Sequence, residues 1–313
     1  MRILLPTTIT EPMIGAATTI PAVDTANGEV LWVPSGTYAI NDLRVYAGGV
    51  YACVKAHTAT AASKPPPQDA ANWLFKEPTN RMAPFDEYIY TKARQPGALT
   101  YVLNPGFITG FAMYGVEADA SAFEYRESPG GAVLVSAAGP LWEQAYGHWE
   151  LLFGDLQRTE KWTSPLLPMR PAGELTVTLT RNNADVEAAV GWLGVGRWVT
   201  LFAPGRDFGG TEYGIEVTPK SYAYFERSKT NDGTYKRQPG RKAKVVTGSV
   251  VIDSKQAPQV DGWLRHILDV PVAVDFSDLP RYRHLSTVGF LTGSLKTDSW
   301  GITRMNFTLE GNV

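Results

Sequence analysis

Hydrophobic and polar positions alternate over short stretches along most of the chain. Leu175, Val177 and Leu179 are separated by Thr176 and Thr178, and Met305, Phe307 and Leu309 by Asn306 and Thr308. A period of two puts the apolar set on one face of a half-buried strand. Further strands are predicted over 99–103, 110–114, 132–136, 150–153, 198–202, 245–252, 270–275 and 288–291, with Gly and Pro turns between them. One stretch has a different period. Val260, Trp263, Leu264 and Ile267 fall at i, i+3, i+4 and i+7, the apolar stripe of a single helix that Ser254 would cap, with Pro258 in its first turn. The chain is therefore expected to be mainly β.

The pattern divides the chain into four parts. Residues 1–28 show little periodicity and read as an extended N-terminal arm able to lie across a neighbouring surface. Residues 29–83 read as a small three-stranded module, with Leu43 to Tyr46 and Val50 to Val54 joined by a Gly48-Gly49 turn and closed by Trp73. Too short to bury much else, the module needs its aromatics as core. Residues 84–204 carry strands at the spacing of a β-sandwich, jelly-roll-like, and 205–313 a β-barrel with a long hairpin turning at Asn231-Asp232-Gly233 and the one helix.

Composition agrees: 30 Gly, 22 Pro and nine Trp at 19% charged residues suit many turns and aromatic-backed sheets. A single cysteine, Cys53, excludes an internal disulfide framework and any Cys-rich metal site. His57, His148, His266 and His284 have no metal-ligand spacing, and no cofactor is expected. The chain lacks a Gly-x-Ser-x-Gly elbow and a Walker loop, and Gly194-Val195-Gly196 lacks the third glycine of a dinucleotide fingerprint. Carboxylate pairs such as Glu117 with Asp119, Glu124 with Glu127, or Glu143 with Glu150 could be read as a glycosidase, but chance supplies such pairs readily in a chain with 31 acidic residues. The expectation is a protein that is not an enzyme. The first residues, one basic and three apolar before Pro6, fall short of a signal-peptide core, and no apolar run nears the ~20 residues that span a bilayer. No membrane insertion is expected.

Charge is uneven. The net charge is −2, yet the stretch from Lys220 to Lys244 carries +6 together with Tyr222, Tyr224 and Phe225. A basic, aromatic hairpin can grip nucleic acid, solubilise a sheet edge or pair with an acidic subunit, and the Tyr222, Tyr224 and Phe225 cluster, which suits a protein interface as well as it suits bases, favours the subunit. Tyr222, Tyr224, Arg227, Lys236 and Arg237 are the candidate assembly residues.

Two resemblances add to this reading. Trp32, Tyr38, Asn41-Asp42, Tyr46, Gly48, Tyr51, Pro65 and Trp73 resemble the small chitin-binding modules of bacterial polysaccharide hydrolases. The resemblance implies a sugar site at Trp32, Tyr46, Tyr51 and Trp73, although Val54, Lys55 and His57 stand where that family carries an exposed aromatic pair. The wider arrangement is similar to a family of bacteriophage virion proteins encoded with tail-tip genes. It rests on Met1 to Thr10, Pro78-Thr79-Asn80-Arg81, Phe85-Asp86 and Gly209 to Gly214, and the last third is similar in pattern to the tail-tube and distal-tail barrel. That resemblance implies a structural subunit of a tail tip or baseplate, made in the host cytoplasm and carried in the virion, forming a homo-oligomeric ring with other tail proteins as neighbours. The alternative it leaves is an adhesin that binds a host-surface polysaccharide.

Overall fold

In the computed structural model, residues 1–142, 147–154, 158–203, 205, 210–227, 235–277 and 280–311 are described. The chain is mainly β, 47% strand against 11% helical. Its frame is one nine-stranded, wholly antiparallel sheet. The order is Lys161–Thr163, Gly110–Tyr114, Trp192–Thr200, Arg2–Pro6, Pro271–Asp275, Thr287–Thr297, Ile302–Gly311, Lys242–Asp253 and Glu216–Ser221.

This order corrects the division read from the sequence. Residues 1–28 are not a free arm: Arg2–Pro6 lies inside the sheet, pairing Ile3 with Val199 on one side and Val274 on the other. Ile9, Ile14 and Ile20 are buried in the core that follows, and Arg81 donates to the Ile14 carbonyl at 3.1 Å. Nor are 84–204 and 205–313 independent units, because both supply strands to this one sheet. The sheet curls far enough that Lys161, on its first strand, and Lys244, on its eighth, both donate to the Ser286 carbonyl, at 2.9 and 3.0 Å.

A second sheet, ordered Val133–Pro140, Ala120–Arg126, Glu174–Thr180 and Ala98–Leu103, covers part of the first. Leu175, Val177 and Leu179 point inward as their alternation requires and meet Phe111, Met113, Leu193 and Val195 of the large sheet. This is the sandwich, with one of its two layers borrowed. Beside it, on the same face of the large sheet, Ile3, Leu5, Val199, Met305, Phe307 and Leu309 form a second core closed by the helix Ala257–His266. Val260, Leu264 and Ile267 face that core as predicted. Ser254 is not the cap. The N-cap position is Gln256, whose amide accepts from the Phe202 N–H at 3.1 Å and donates to the Thr200 carbonyl at 2.8 Å, tying the helix start to the sheet. On the opposite face Leu4, Tyr114, Trp192 and Trp198 make a smaller third cluster.

The predicted strand at 150–153 is instead part of a short helix, His148–Phe153. Three apolar residues in a row, Leu151 to Phe153, fit either element when no partner is known. The small module has the expected three strands, Leu43–Tyr46, Gly49–Cys53 and Trp73–Pro78. Its hairpin turns at Ala47-Gly48, one residue earlier than the Gly48-Gly49 turn read from the sequence.

Candidate assembly surface

Glu216–Ser221 is the last strand of the large sheet, and the chain continues from it into a hairpin that leaves the sheet. Pairing runs from Glu216 opposite Thr247 to Ser221 opposite Lys242, then resumes with Tyr224–Arg227 against Tyr235–Gln238. The break lies at Tyr222 and Gly240, where the Tyr222 N–H donates to the Arg241 carbonyl at 3.0 Å. A side chain at position 240 would collide with the Tyr222 backbone, so glycine permits the close crossing. The long hairpin expected from Asn231-Asp232-Gly233 is present on both sides of its tip; those three residues lie outside the described ones.

Most of the assembly residues read from the sequence face solvent here. Tyr222 is 43% and Tyr224 62% exposed, and the Arg237 side chain is exposed. Arg227 and Lys236 are placed by their backbone on the paired strands, in neighbouring rungs, with side chains outside the described set. Lys220 lies over the Tyr222 ring at 5.0 Å and Arg241 over Tyr90 at 5.2 Å. Tyr90 also donates to the Lys242 carbonyl at 3.2 Å, bracing the hairpin base against the loop after the small module. Exposed cations stacked on rings keep both charge and apolar area at the surface.

The basic stripe is not uniform. Lys244 turns inward and donates to the His284 and Ser286 carbonyls at 2.6 and 3.0 Å. Burial first, and the nearby Lys161 ammonium second, bring its pKa down to about 8. Its charge is used inside the molecule, a placement that the run of lysines and arginines did not signal. At the outer edge of the sheet, Pro219 removes a backbone donor and Lys220 adds a charge, the usual guards against strand-to-strand addition. What this region offers a partner is its side chains.

The sugar site read onto the small module is corrected at two of its four positions. Trp32 is 8% and Trp73 3% exposed; with Tyr38, Cys53 and Ala59 they form the module core. Trp32 meets Tyr46 edge-on at 5.5 Å and Trp73 meets Tyr38 at 4.9 Å. Buried as the centre of so small a unit, these rings cannot also be flat platforms for a sugar. Tyr46 and Tyr51 are half-buried, and Tyr51 packs edge-on against Phe75, an exposed ring the sequence reading passed over.

The remaining candidates for chemistry have structural partners. Cys53 is buried and donates to the Lys55 carbonyl at 3.1 Å, and burial raises its thiol pKa, the opposite of what a nucleophile needs. Asp119 holds Arg158 at 2.7 Å, and Glu117 holds Lys92 at 2.5 Å. Glu143 lies outside the described residues, and Glu150 is in the short helix. Gly194 and Gly196 serve packing: an added Cβ would strike the Trp192 ring at the first and the Leu5 carbonyl at the second. Among the described residues there is no group of three or more His, Cys, Asp or Glu able to hold a metal. No helix there is long and apolar enough to cross a membrane. Comparison with family models, curated protein sequences and solved structures returned no match.

Proposed function

We propose that the protein is a structural subunit of a bacteriophage tail tip or baseplate, made in the host cytoplasm and assembling with further copies of itself and with other tail proteins. The observation that carries the reading is the hairpin. A two-stranded projection with exposed Tyr222, Tyr224 and Arg237 leaves a braced sheet edge that is itself blunted by Pro219. Such a projection has little to contribute to its own fold and is suited to reach a neighbour, with aromatic area for affinity and cations for partner choice. The resemblance of the chain's opening residues and its Gly209 to Gly214 stretch to tail-tip virion proteins supports the same reading.

Sedimentation velocity and electron microscopy of the purified full chain test it. The expected result is a discrete ring-sized species that disappears when residues 231–236 are deleted. A monomer at micromolar concentration, or a mass distribution untouched by the deletion, overturns the proposal.

A further inference from the structure

The helix His148–Phe153 presents Trp149, Leu151, Leu152 and Phe153 to solvent at 77, 60, 69 and 74% exposure. Trp149 and Phe153 lie one turn apart with ring centroids at 5.0 Å, so the apolar surface is contiguous. The segment from Glu143 to Gln157 carries three acidic residues and no lysine or arginine. Elsewhere on the molecule a groove of about 440 Å³ is lined by Pro6, Phe107, Met169, Arg197, Trp263 and His266. Phe107 and Met169 are exposed there, Arg197 is the charged wall, and no acidic residue lines the groove among those described.

We infer that the Trp149–Phe153 arm of one copy docks into the Phe107, Met169 and Trp263 groove of the next copy. The inference rests on the ring-forming reading above and adds a second contact between copies to the one the hairpin makes. Area, charge and position support it. The arm is apolar and belongs to a stretch of acidic sequence; the groove is apolar and basic. Two aromatic side chains bury on the order of 150–250 Å² each, and with the leucines and the groove wall the contact approaches the ~1,000 Å² of a specific interface.

Position matters most. The arm springs from the Trp142–Arg158 bridge, just beyond the point where the Val116 N–H meets the Glu160 carbonyl. The groove opens at the other end of the same two strands, past the point where the Leu167 N–H meets the Thr109 carbonyl. Seven residues along each chain segment separate these levels, at most about 23 Å. A contact between unlike surfaces at opposite ends of a sheet, when it is not exchanged reciprocally about a two-fold axis, repeats from copy to copy and closes into a ring where the rotation between copies returns to the start.

The test uses two full-length variants, Trp149→Cys and Met169→Cys, one of them mass-tagged, mixed and mildly oxidised; the native Cys53 is buried and stays out of reach. The expected product is a disulfide joining the two different chains, with neither variant linking to itself. Links between two Trp149→Cys chains would overturn the inference. So would a mixture without links while a chain carrying both changes closes on itself. Sedimentation of the unmodified chain separates the two levels: rings without the mixed link retain the tail-subunit reading and discard this contact, whereas a monomer without the link discards both.

Discussion

Ala47 is the residue at which local rules are most plainly broken. It sits at φ 47° in the turn between Leu43–Tyr46 and Gly49–Cys53, followed by Gly48 at φ 78°. A left-handed alanine costs about 1 kcal/mol, and two-residue hairpins of this kind favour Asn-Gly. Ala47→Asn should therefore stabilise the protein by about 0.5–1 kcal/mol in urea unfolding, and an unchanged or lower midpoint would refute the turn geometry. Gly48 must stay, because a Cβ there would press on the Met82 side chain.

Asp86 gives a second residue-scale prediction. Burial is the main cause of its pKa rising to about 6, with the Glu87 charge adding a little and hydrogen bonds from Tyr88 and Thr91 opposing. Because the folded value lies above the ordinary carboxylate value, the native state takes up this proton first as pH falls from 7 through 6 towards 4. Asp86 thus contributes a stability that rises with acidification across that window. In Asp86→Asn that contribution vanishes, so the difference in stability between variant and parent should shrink steadily from pH 7 to pH 4; a constant difference would refute it.

At the scale of elements, legibility followed the partner. Glu174–Thr180 and Ile302–Gly311 could be read because alternation alone fixes which face is buried, and the helix because its stripe is self-contained. Arg2–Pro6 could not: its sequence is a short apolar run, and its neighbours are Trp192–Thr200 and Pro271–Asp275, far along the chain. The meaning of Gly194-Val195-Gly196 was hidden for the same reason, since the backbone that Gly196 must admit belongs to Leu5. Gly196→Ala puts a methyl 2.0 Å from the Leu5 carbonyl oxygen, a main-chain atom that cannot rotate away. The two strands must part locally, at an expected loss of about 1–3 kcal/mol. A thermal midpoint equal to the parent's would show that the pairing yields more easily than its central place implies.

For the whole molecule, the exposed basic hairpin was more legible than the architecture. Charge and aromatic content mark the hairpin in the sequence, whereas the inward turn of Lys244 and the exposed arm at 148–153 depend on what lies across the fold. The four-part division failed at 28 and at 204 because one sheet gathers strands from both ends and the middle of the chain. That arrangement also sets a schedule for the ribosome. Arg2 must wait for Asp275, to which it is joined at 2.6 Å, and at ~5–20 residues per second some ~15–55 s of synthesis separate the two. Throughout that interval Ile3, Leu4 and Leu5 have no strand on one side, so a strand made early settles late, and the central sheet is completed only after Pro271–Asp275 has been made.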